Sequence, residues 1–137
     1  MRVIFYGLHK IKKMEQQNNP PNIKEIVKVS CIEKDYVEYD YEEFITYKFE
    51  IKNTSDKTIR AVKGSVVFNN IFDEKIQSLS FVYDQPIEPG KWKNWNANTE
   101  FNPYIEEDRV LRDKSLKDLN VVWNPEKIIF LDGSKLE

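Results

Sequence analysis

Between Phe44 and Lys52 apolar and polar side chains alternate without a break. Ile45, Tyr47, Phe49 and Ile51 fall on one face, and Thr46, Lys48, Glu50 and Lys52 on the other. Alternation at period two is the mark of a strand with one buried and one wet face, and it excludes a helix there. The pattern stops at Asn53-Thr54-Ser55-Asp56-Lys57, whose side chains favour turns by bonding nearby backbone. A β-branched run follows over Ile59–Phe68, with Gly64 inside it marking a bulge or a close contact.

The same reading extends over most of the chain. It places an opening strand within Ile23–Glu33, further strands at Lys75–Tyr83 and Lys91–Phe101, and two short ones at Leu119–Trp123 and Lys127–Leu131, parted by Asn124-Pro125. Ile71–Glu74 and Pro86-Ile87-Glu88-Pro89-Gly90 read as turns, the latter stiffened by its prolines. Within Asn102–Leu119 the apolar spacing is helical, and Asn102-Pro103 is a helix-start signal with Glu106, Glu107 and Asp108 near the positive end. About seven strands parted by turn clusters, with one short helix in the late connection, predict an all-β, immunoglobulin-like antiparallel β-sandwich.

The 137 residues suit one domain of this kind, and eighteen aromatic residues supply apolar area that disordered chains lack. Residues 1–22 read as an N-terminal arm and polar linker, and 23–137 as the sandwich domain. The arm's apolar run, Val3–Leu8, is too short for a signal-peptide core or a membrane span, and Lys10, Lys12 and Lys13 follow it rather than precede it. As written the chain is expected to stay in the cytoplasm, or in the cell envelope if a leader has been lost. Arg2–Tyr6 is itself β-prone, and is expected to pair with its own domain's edge or to exchange with a neighbour.

A net charge of −2 excludes the basic field that draws nucleic acid or anionic membranes. A single cysteine, Cys31, excludes an intrachain disulfide and a cysteine-based zinc site. The lone histidine, His9, lies in the arm, away from a catalytic partner.

The stretch Tyr47–Asn53, the turn Thr54-Ser55-Asp56-Lys57, the strand Ile59–Phe68 and the run Ile87-Glu88-Pro89-Gly90 together resemble bacterial immunoglobulin-like modules, the FxLYD-type and telokin-like envelope domains. The likeness covers about a third of the chain. It implies a non-catalytic module, often exported and often an adhesion or accessory part, and it carries no functional residues with it, because such families share a scaffold rather than a site.

Several segments carry chemistry that a site needs. The acidic, tyrosine-rich run Asp35–Glu43, with Tyr36, Tyr39 and Tyr41, could hold calcium or dock a basic partner, or form a charged strand edge that blocks pairing. Trp92 and Trp95, with Asn94, Asn96 and Asn98, could stack a sugar. In a regular strand, however, residues three apart point to opposite faces, so the simpler reading is one core tryptophan and one at the rim. Trp123 is expected in the core. Glu106, Glu107, Asp108 and Asp113 could supply acid–base catalysis, but with Arg109, Arg112, Lys114 and Lys117 nearby they read as a solvated, self-paired helix face. Cys31 alternates with Val29 and Val27 and reads as a small buried hydrophobe. Asn53-Thr54-Ser55 is a formal glycosylation acceptor.

These readings add up to an expectation: no enzyme, no metal and no cofactor, but a module that binds a protein partner through a sheet edge or its loops, with Tyr36, Tyr39, Tyr41, Trp92 and Trp95 as the interaction surface. The alternative is a carbohydrate-binding module using Trp92 and Trp95.

Overall fold

A computed structural model describes residues 22–137. The arm, His9 and most of the linker lie outside the described residues. A single helical turn, α1 (Ile23–Ile26), opens the described chain and is capped by the Asn22 side chain, which accepts from the Lys24 N–H at 2.9 Å. The opening strand expected within Ile23–Glu33 is present, but Ile23–Ile26 ahead of it is helical. With the cap in place the strand starts at Val27 and then runs much further than expected. The strands are β1 (Val27–Tyr39), β2 (Glu42–Asn53), β3 (Ile59–Asn69), β4 (Lys75–Tyr83), β5 (Trp92–Glu100), β6 (Asn120–Phe130) and β7 (Lys135–Leu136). Between β5 and β6 lie α2 (Glu106–Asp113) and a short 3-10 turn, Leu116–Asp118.

All neighbouring strands pair antiparallel, in two sheets ordered β1-β2-β5 and β4-β3-β6-β7. The chain crosses between sheets after β2, β4 and β5. This three-plus-four arrangement is an immunoglobulin-like sandwich. The two inner faces meet in one core. Ile45, Tyr47, Phe49 and Ile51 come from β2, Val62, Val66 and Phe68 from β3, Phe81 from β4 and Ile128 from β6. Aromatic contacts stitch the layers together: Tyr47 to Phe68 at 5.5 Å between ring centroids, and Phe49 to Phe81 at 5.4 Å edge-on. Each such side chain stabilises the fold by about 1.5–3 kcal/mol relative to exposure. Burial also pushes the Tyr47 phenol up to about 12, even though its hydroxyl is within 2.9 Å of Thr99 Oγ1.

The end of the chain departs from expectation. The two short strands around Asn124-Pro125 are one strand, β6, and the seventh strand is the Lys135–Leu136 pair. Proline supplies no ladder donor, but β7 pairs only with Ile128 and Ile129, so β6 is a local edge at Pro125. A register shift at Glu126 absorbs the irregularity and sets Pro125 opposite Gly64. There the expected close contact is real: a β-carbon on Gly64 would lie 2.4 Å from the Asn124 carbonyl oxygen and 2.6 Å from the Trp123 ring. Among the described residues no helix is long and apolar enough to cross a membrane.

Candidate functional site

Antiparallel pairing gathers three connections at one pole of the sandwich: the β1–β2 turn, the β3–β4 turn, and the segment from Phe101 through α2. The β1–β2 turn is two residues long, with Asp40 and Tyr41 both at positive φ, as a tight hairpin turn of twist-matched hand requires. Asparagine and glycine are the usual occupants. Here a tyrosine holds that backbone with its side chain fully exposed, beside an exposed Tyr39.

The β3–β4 turn is built by Asn70. Its side-chain oxygen accepts from the N–H groups of Phe72 (2.9 Å) and Glu74 (3.0 Å), and its amide donates to the Glu74 carboxylate. Asp73 takes positive φ and is bonded by the Asn120 amide, which ties the turn to the start of β6. Held this way, Ile71 and Phe72 stand 70% and 77% exposed.

In the third connection the Asn102 side chain accepts from Tyr104 N–H at 2.9 Å, and Tyr104 is 91% exposed beside Ile105. Asp108 anchors this segment. It is buried, and its carboxyl oxygens accept from the Gln77 amide on β4 (2.8 Å) and from the Asn102 N–H (2.9 Å). Arg112 covers the other side of α2, its guanidinium 4.7 Å from the Phe101 ring centre and 5.5 Å from that of Tyr36.

Six of the eleven exposed large hydrophobic side chains among the described residues therefore sit at this pole. Exposed carboxylates ring them, with Glu38, Asp40 and Glu42 on the hairpin, Asp73 on the second turn, and Glu106 and Glu107 on the first turn of α2.

The residues expected to form the surface divide. Tyr39 and Tyr41 belong to it. Tyr36 is half-buried, edge-on to Phe101 at 5.4 Å, and its hydroxyl donates to Glu43, a bond that is the main cause of its phenol titrating above the ordinary value. Trp92 lies at the start of β5, toward the opposite pole, 54% exposed under the Lys52 ammonium at 4.8 Å. Trp95 points inward, 4.8 Å from Phe81 and 6.0 Å from Tyr83 between ring centres. The two tryptophans thus occupy opposite faces of β5, as its parity requires, and form no common platform. Ile71, Phe72, Tyr104 and Ile105 were absent from the expected surface. The signal is present in bulky apolar side chains just after Asn70 and Asn102, the asparagines whose side chains build the two turns.

Of the carboxylates weighed for catalysis, Glu106 and Glu107 are exposed and Asp108 is committed to its two donors. The expectation of a wholly solvated acidic face fails at Asp108, because docking of α2 onto β4 turns that position inward. A shallow cleft of about 280 Å³ on the outer face of the first sheet is lined by Glu33, Asp35, Lys48, Asn96 and Asn98. Among the described residues no three His, Cys, Asp or Glu side chains gather as metal ligands would. Cys31 is half-buried against the core, and burial pushes its thiol up to about 11. Trp123 packs at 5.1 Å from Phe81, as expected of a core residue. Asn53 is wholly buried, so in the folded chain it offers no nitrogen to a glycan.

No family model and no curated protein matches the chain. Solved structures similar to it include the following two. A Northeast Structural Genomics Consortium target shares 11% identity over 80% of this chain and 75% of its own, with a TM-score of 0.42. A protein from Bordetella pertussis described as ApaA, from the same consortium, shares 12% identity over 80% of this chain and 84% of its own, with a TM-score of 0.44. Likeness this loose carries no argument about function.

Proposed function

We propose that the chain is a non-catalytic, immunoglobulin-like binding module that docks a protein partner through its aromatic loop pole. One observation carries the reading: Tyr39, Tyr41, Ile71, Phe72 and Tyr104 are exposed at one pole, the first two on a tight two-residue hairpin and the others on turns that the Asn70 and Asn102 side chains hold in place. Exposed apolar clusters rimmed by polar groups mark interaction sites, and aromatic anchors on rigid supports lose little entropy on binding. Kinship with bacterial immunoglobulin-like envelope modules belongs to the same proposal.

The test is a triple variant, Tyr41→Ser with Phe72→Ser and Tyr104→Ser, beside a control at Trp92→Ser. All four side chains are exposed, so both proteins should melt close to the wild type. Proteins captured from native lysate by the wild type and the Trp92 control should be lost with the triple variant. Capture of the same proteins by the triple variant would remove the pole from the function.

A further inference from the structure

We infer that the pole receives residues 2–13 of a second copy of this chain, two copies exchanging these segments reciprocally. The inference rests on the reading of the pole as a docking surface and names its partner.

The chemistry of the two parts matches. The pole joins exposed aromatic and aliphatic side chains to carboxylates at Glu38, Asp40, Glu42, Asp73, Glu106 and Glu107. Its exposed cations are fewer than its carboxylates: Lys75 at the start of β4, Arg109 on α2, which donates to the Pro103 carbonyl, and Lys117 in the 3-10 turn before β6. Residues 2–13 carry the complement: Arg2, Lys10, Lys12 and Lys13 among Val3, Ile4, Phe5, Tyr6, Leu8 and Ile11, with the first acidic residue only at Glu15. In a chain of net charge −2 this is a concentrated run of positive and apolar character. Complementary charge selects the partner, while apolar contact with aromatic anchors supplies affinity.

Geometry favours a second copy only for the segment seated whole. Asn22 and α1 lie at the far pole, where Val27 pairs with Asn53 and Thr54 N–H donates to the Ile26 carbonyl at 2.8 Å. From there β1 runs thirteen residues to the aromatic pole, a distance of about 40 Å at ~3.3 Å per residue. Lys13 is nine residues before Asn22, which even a fully extended chain spans in no more than about 32 Å. Lys12 and Lys13 therefore fall short of their own pole; residues 2–10 lie within reach of it, but one copy cannot seat the whole segment, with all four cations, on itself. A neighbour lying antiparallel brings its aromatic pole beside this chain's Asn22 with no stretching, and the two-fold arrangement satisfies both poles at once.

The experiment measures mass by light scattering on the full chain. The wild type should be a dimer, and raising salt from about 0.1 to about 1 M, which shortens the screening length from about 10 to about 3 Å, should weaken it by at least about tenfold. A segment variant, Lys10→Glu with Lys12→Glu and Lys13→Glu, should be monomeric. So should a pole variant, Asp40→Lys with Glu42→Lys and Glu106→Lys. Mixing the two variants should restore a heterodimer, an outcome that misfolding cannot imitate. A monomeric wild type, or a dimer that the segment variant leaves intact, overturns the inference. So does a monomer whose pole amide resonances shift with the segment substitutions, because that places the segment on its own copy. If the wild type is monomeric while the serine triple variant still loses its lysate partners, the inference fails and the docking role of the pole stands.

Discussion

The Asn53 amide donates to the carbonyl oxygens of Lys57 and Ile87, both at 2.8 Å, while its oxygen accepts from the N–H and the hydroxyl of Ser55. A turn role for the Asn53–Lys57 cluster follows from its residue types, and the bonds to Ser55 and Lys57 fulfil it. The bond to Ile87 reaches 34 residues along the chain, into the β4–β5 connection, and no local pattern announces it. Replacing Asn53 by Ala leaves two carbonyl oxygens without this buried donor, so Asn53→Ala should lower the unfolding free energy by about 3 kcal/mol. Urea unfolding with an unchanged slope and a lower midpoint would report it. A loss within about 0.5 kcal/mol would show that the two loops are held by something else. Trp92 and Trp95 show the converse case. Strand parity alone separates their faces, and the structure agrees, because parity is a property of the backbone and needs no tertiary information.

At the scale of elements, the strands with one wet face were legible, and the errors fall where a neighbour decides. Alternation in β2 is strict because one face meets the core and the other meets water. Asn124-Pro125 signals a break between two strands, yet a register shift opposite Gly64 carries β6 through as one. Asn102-Pro103 signals a helix start, yet the helix begins at Glu106, because the Asn102 side chain first caps a turn through Tyr104 and the Asp108 carboxyl holds the Asn102 N–H. Asp108 reads as solvated because its sequence neighbours are charged. Docking of α2 on β4 buries it, and docking leaves no trace in the local sequence. Asp108→Ala should therefore undock α2 before it unfolds the sandwich. Amide exchange should accelerate in Glu106–Asp113, and global stability should fall by about 2 kcal/mol for the two donors left unpaired. Unchanged exchange in α2 would mean that Leu111, which is wholly buried, anchors the helix alone.

For the whole molecule, the two-sheet sandwich follows from strand period and turn spacing, whereas the pole does not. Its members come from three connections separated by up to about sixty residues, and only the closed topology brings them to one end. The account requires that this end be built rather than frayed, since a surface of exposed aromatic side chains binds well only when its backbone is already fixed. Nitrogen-15 relaxation on the full chain measures this at Asp40, Tyr41, Phe72 and Asp73. Order parameters near about 0.85, level with the strands, are the expected result, and values below about 0.6 at these turns would contradict the account.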